Sequence, residues 1–183
     1  RLRNRERSVR AFRAWSTTKT TPLVPSVVPN LHGRPSVAVI PFSVRSTDAR
    51  FEFLGDGLAD ETIGSLSRVA DFFVVSRLSS MAFRKTSRSL RNIGEMLGVQ
   101  YVLSGSIHSV SGQTALVAEL ADTTNEQVLW SERFLIDVAN VPEVQHELAH
   151  RVVGSVAPFV RSFELRRAGL TNLSQLDAYG LTL

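Results

Sequence analysis

The stretch Leu97-Gly98-Val99-Gln100-Tyr101-Val102-Leu103-Ser104-Gly105-Ser106-Ile107 decides the fold. A helical pattern, with Ile93 and Leu97 four residues apart on one side, ends at Gly98, and a β-branched and aromatic run starts three residues later. Glycine tolerates the left-handed backbone that closes a helix, so Gly98 reads as a C-cap and Tyr101 as the start of a strand. Two more strand-like runs follow, Thr114–Ala121 and Gln127–Phe134. Between them lies Asp122-Thr123-Thr124-Asn125-Glu126, which has the polar, Asn-containing chemistry of a hairpin loop. A three-strand antiparallel meander is expected.

Upstream, Val37-Ala38-Val39-Ile40 is a continuous apolar run ended by Pro41, the pattern of a strand covered on both faces. Gly55-Asp56-Gly57 then opens a helix that runs to about Val69, with Leu58, Ile63, Leu66 and Val69 close to one face. Phe72–Ser76 reads as a second strand and Ser89–Leu97 as a second helix. Downstream, Val144, Leu148, Val152, Val156 and Phe159 recur at helical spacing, with Pro142 where a helix start tolerates it. Pro158 predicts a kink or break in this helix, and Gly169 predicts its end before Thr171-Asn172-Leu173-Ser174. The expected fold is α/β: a mixed sheet of about five strands, built as strand-helix-strand-helix and then the meander, covered by helices that include a long C-terminal one.

The chain has 183 residues, 43% of them hydrophobic, enough for one core of ordinary size. Its apolar runs fall far short of the roughly 20 residues of a membrane-crossing helix, and no signal peptide is visible, so no membrane association and a cytoplasmic setting are expected. The absence of cysteine excludes disulfides, thiolate nucleophiles and cysteine-ligated metals. Residues 1–13 carry six arginines against Glu6, a net +5. The total is +4, so residues 14–183 hold −1 and the body offers no broad positive field for nucleic acid. Arg84, Lys85, Arg88 and Arg91 form a second basic cluster, accompanied by Phe83 alone among aromatics, and read as a solvated face. Residues 16–35, with Pro22, Pro25, Pro29 and Pro35 among threonines, read as an extended linker.

Two residue sets carry chemical interest. His146-Glu147-Leu148-Ala149-His150 fits H-E-x-x-H, in which two histidines one helical turn apart hold zinc and the glutamate activates water. A catalytic site needs a third protein ligand, and Glu164, His32 and His108 are the remaining candidates. A zinc hydrolase centred on His146, Glu147 and His150 is therefore an alternative reading, and the expected assignment is no metal, no cofactor and no catalytic residue. The second set is Asp56 and Arg77, each just beyond a strand, where they would line the crevice that open α/β sheets offer to ligands. They are the candidate ligand or partner contacts. Asp56 between two glycines also reads as a helix N-cap.

Val37-Ala38-Val39-Ile40-Pro41-Phe42, Phe53-Leu54-Gly55-Asp56-Gly57-Leu58, Leu66-Ser67-Arg68, Phe73-Val74-Val75-Ser76-Arg77, Leu97 to Ser106 and Leu129-Trp130-Ser131-Glu132-Arg133 together resemble the TolB amino-terminal-like domain. The resemblance covers residues 36–168. It implies a non-catalytic module of a bacterial signalling protein, placed between a class III adenylate or guanylate cyclase domain, or a winged-helix domain, and tetratricopeptide repeats. Leu2-Arg3-Asn4-Arg5 and Val9-Arg10-Ala11-Phe12-Arg13-Ala14 resemble the tail of such a cyclase domain, with Arg3 for a lysine and Ser8 for a proline, which assigns 1–15 to that tail. Leu176-Asp177-Ala178-Tyr179 resembles the opening of a repeat region over 169–183. Ser104 replaces a usual glutamate, and Asn125 a usual hairpin glycine. The expected function is regulatory or interaction work for a parent that makes cAMP, with the neighbouring cyclase and repeat domains and a protein or small ligand as partners. A nucleic-acid-binding adaptor using the basic arm is a further alternative.

Overall fold

The computed structural model describes residues 34–180, apart from 46–50, 52, 85, 111–112 and 137–140. The expected domain pieces at 1–15 and most of the 16–35 linker lie outside the described residues, as does the basic arm. The elements in chain order are β1 (Ser36–Val39), β2 (Ser43–Arg45), α1 (Leu54–Ser67), β3 (Phe73–Val74), α2 (Arg77–Met81), α3 (Leu90–Leu97), β4 (Tyr101–Val110), β5 (Gln113–Asp122), β6 (Val128–Ile136) and α4 (Val141–Gly180). The α/β class and the meander stand as expected. The sheet has six strands, because the three-residue β2 pairs with β4 beyond the end of β1. β2 and the five-residue α2 are too short to show a periodicity.

The sheet runs β3-β1-β4-β5-β6. β1 pairs in parallel with β3 and with β4, in register Val37↔Tyr101 and Val39↔Leu103, and the β4-β5-β6 ladder is antiparallel. Parallel strands need covering on both sides, and β1 shows it: Val37, Ala38 and Val39 are all fully buried. On one face Val37, Val39, Tyr101, Leu103, Leu116, Leu120 and Phe134 form a core with Leu58 and Leu66 of α1 and Leu148, Val152 and Val156 of α4. On the other, Ala38, Val75 and Val102 meet Phe83, Ile93 and Val99, with Leu90 and Leu97 of α3 at the margin. Glycine at position 55 lets α1 approach closely: a Cβ there would overlap the carbonyl oxygen of Phe42, whose own N–H donates to the Gly55 carbonyl at 3.3 Å.

α3 matches its sequence signals at both ends. The Ser89 hydroxyl accepts from the Asn92 N–H at 3.3 Å, and Gly98 closes the helix at φ 66°. α4 departs from expectation twice. It continues unbroken through Pro158, and it passes Gly169 to reach Gly180. A helix-interior proline costs about 3 kcal/mol. Burying Val152, Val156 and Val160 offsets it, since each contributes about 1.5–3 kcal/mol. Gly98 is the one glycine among the described residues with positive φ, so Gly169 makes no left-handed stop. The turn between β5 and β6 also differs: its positive-φ residue is Glu126 at 61°, not Asn125. The Asn125 side chain instead accepts from the Gln127 N–H at 3.0 Å, an Asx-type contact that fixes the turn.

Candidate functional site

The candidate contacts lie on α1 and α2, beyond the carboxyl ends of β1 and β3. β1 leads through Pro41 and Phe42 toward α1, and β3 leads through Val75 to Ser76, which caps α2 by accepting from the Ser79 N–H at 3.4 Å. That places Arg77 in the first turn of α2. Asp56 lies inside the first turn of α1; Phe53 holds the N-cap position and makes no side-chain capping bond, which corrects the reading of Asp56 as the cap. The Asp56 carboxylate still benefits from the positive helix end.

Asp56 and Arg77 are not each other's partner. Asp56 forms an ion pair with Arg84, and Arg77 with Asp60, one turn further along α1. Two acids of α1 thus face two arginines from α2 and the residues after it, and charge cancels pair by pair. The side chains are partly solvated, so these pairs each contribute in the range of 0–1 kcal/mol. The two pairs link α2 and the residues after it to α1. Exposed apolar side chains flank them in sequence: Phe53 is 71% and Leu78 83% exposed. Sequence reasoning missed Asp60 and placed Arg84 only in a solvated basic cluster, whereas it pairs with Asp56. The i,i+4 spacing of Asp56 and Asp60 was the available signal.

The His146–His150 motif sits on α4 with the helical phase it requires: Leu148 and Ala149 turn into the core, and the two histidines face outward. Their Nε2 atoms are 3.1 Å apart. Glu147 points elsewhere, toward Arg151 at 3.8 Å, and Arg151 in turn lies over the Phe134 ring, 5.2 Å from its centroid. None of the third-ligand candidates within the described residues joins them. Glu164 accepts from the Tyr101 hydroxyl and lies 3.6 Å from Arg167, while His108 contacts the Ser106 hydroxyl at 2.5 Å on β4. His32 is outside the described residues. Among the described residues no group of three or more His, Cys, Asp or Glu is disposed to hold a metal ion. What the structure adds is Glu61 of α1, whose Oε2 lies 3.5 Å from His146 Nδ1.

A third polar contact, absent from the sequence reading, lies at the margin of the large core. Tyr101 is fully buried, its ring meets Phe163 edge-on at 6.4 Å, and its hydroxyl donates to Glu164. Burial first, and the Glu164 carboxylate second, push the phenol well above the usual tyrosine range. A tyrosine in a strand buried on its α4 side needs such a partner, and that need was the legible signal.

The chain is similar to several proteins of known description. Along 98% of its length the chain is 29% identical to a Rhizobium meliloti (strain 1021) protein named "Putative adenylate cyclase 3". It spans 31% of that relative. Among solved structures, TolB from Acinetobacter baumannii superposes with TM-score 0.48 and 18% identity, covering 69% of this chain and 28% of that one. The LpoB C-terminal domain from Escherichia coli gives TM-score 0.45 and 18% identity, covering 56% of this chain and 82% of that one. Residues 33–151, which hold the whole sheet, α1 to α3 and the first quarter of α4, match the family described as HilA/YgeH-like transcriptional regulator, second domain, and the chain belongs to that family.

Proposed function

We infer that this chain is a non-catalytic regulatory or interaction module of a cyclic-nucleotide signalling protein that makes cAMP. The observation that carries the reading is the end-to-end match to one third of a protein named as an adenylate cyclase. Asp56 pairs with Arg84 and Arg77 with Asp60, which links α1 to α2 and the residues after it. In this reading the crevice between α1 and α2 is the contact face for a neighbouring domain or small ligand, with Asp56 and Arg77 at its centre. α4, about 60 Å long at 1.5 Å per residue, is the connecting rod to a following tetratricopeptide-type helical region. Residues 165–169 are all exposed, as a rod leaving the body requires.

The 183-residue chain is expected to form no cAMP from ATP with magnesium or manganese. The full-length cyclase carrying Asp56→Ala and Arg77→Ala is expected to keep its basal rate and lose its response to the partner or ligand. Cyclase activity in the isolated chain, or a full-length enzyme indifferent to deletion of residues 36–168, would overturn the reading. The family's description supports a second one, a module of a transcriptional regulator. A parent that binds a specific DNA sequence and forms no cAMP would select it.

A further inference from the structure

We propose that His146 and His150 form an open, two-histidine binding site for a borderline transition-metal ion such as Ni(II), Cu(II) or Zn(II), with Glu61 as the carboxylate that orients it. The site goes beyond the regulatory reading and does not depend on it. Both imidazoles are on the solvent side of α4, where His146 is 63% exposed. Their Nε2 atoms are 3.1 Å apart, within hydrogen-bond distance, and the rings meet edge-on with centroids 4.4 Å apart. Two metal–nitrogen bonds of about 2.0–2.1 Å, spread across a 3.1 Å chord, subtend about 100° at the ion, close to the angle that tetrahedral and square coordination require. The helix brings both rings to one face, because residues four apart stand one above the other.

The remaining ring nitrogen supplies an independent observation. A metal-ligating histidine characteristically gives its other N–H to a carboxylate, which sets the tautomer and raises the basicity of the ligating nitrogen. His146 Nδ1 has such an acceptor in Glu61, which comes from a different helix and stands outside the sequence motif. Glu147 is directed to Arg151 and takes no part. The other coordination positions are open to water, so the ion is exchangeable, and the chemistry is binding without hydrolysis. Imidazole pairs suit copper, nickel and zinc and give magnesium or calcium no purchase. Since the ligands lie on α4 and the orienting carboxylate on α1, occupancy would also fasten the two helices that cover the large core.

The test is equilibrium dialysis of the full 183-residue chain against Ni(II) and, separately, Zn(II) at neutral pH. One metal per chain is expected. Either His146→Ala or His150→Ala should weaken it by at least about tenfold, because chelation becomes single-point attachment. Glu61→Gln, with both histidines intact, should weaken it by about tenfold, the lower end of what outer-shell partners contribute. His108→Ala should leave it unchanged. A second readout on the unaltered chain is the imidazole NMR signals, in which His146 and His150 alone should shift with Zn(II). Undiminished affinity in the His146→Ala, His150→Ala double variant overturns the site, as does a response at His108 instead. Unchanged affinity in Glu61→Gln overturns the orienting role.

Discussion

At the level of single residues, Tyr101 is the most consequential side chain that the amino-acid pattern left unpartnered. Its phenol is held neutral by burial and by the Glu164 carboxylate, so its folded-state pKa lies above the unfolded one. Below about pH 10 both states keep the proton. Above it the unfolded chain releases its proton first, so the stability linked to Tyr101 is present below pH 10 and is lost as pH rises beyond it. Denaturant unfolding should therefore show an alkaline decline in stability that is reduced in Tyr101→Phe, and the difference between the two pH curves isolates this residue. At neutral pH the variant should lose about 1.5 kcal/mol, the contribution of one hydrogen bond to a charged acceptor. An unchanged alkaline slope would rule out the Tyr101–Glu164 contact.

Among the elements, α3 and α4 show two different sources of helical order. α3 has eight residues, too few to stand on propensity, and depends on its ends. Ser89→Ala should cost about 1 kcal/mol and lower amide protection in the first turn of α3, which hydrogen exchange would detect. α4 contradicts its local signals at Pro158 and Gly169, and does so because tertiary burial outweighs them at the first. At the second the helix simply continues, since a glycine in a helix interior costs only about 1 kcal/mol. The amphipathic pattern from Val144 to Phe159 was legible; its persistence through a proline was not. α2 and β2 were illegible for the opposite reason: five and three residues complete no period, and only their partners define them.

For the whole molecule, the sheet couples two cores of unequal size. β1 and β4 contribute to both, Ala38 and Val102 to the smaller, Val37, Val39, Tyr101 and Leu103 to the larger. The two sides share a backbone, so neither unfolds alone. Phe134→Ala in the large core and Phe83→Ala in the small one should each cost about 3–5 kcal/mol and each shift a single cooperative transition. Separate transitions in calorimetry, one sensitive to each variant, would show that the two sides of the sheet are independent. The candidate crevice belongs to this scale too. Asp56 and Arg77 were visible as polar residues beyond strand ends, but their actual partners, Arg84 and Asp60, follow from how α1 approaches α2 and the residues after it.

Sequence alone determined the class, the meander, the closing of α3 at Gly98 and the helical phase of His146 and His150, because each is a short-range consequence of periodicity or of one residue's backbone freedom. Tertiary structure decided the rest: the passage of α4 through Pro158, the exchange of ion-pair partners in the crevice, the burial of Tyr101 against Glu164 and the placement of Glu61 beside His146. These contacts join residues between 17 and 85 positions apart, and no local preference encodes a distance across the core.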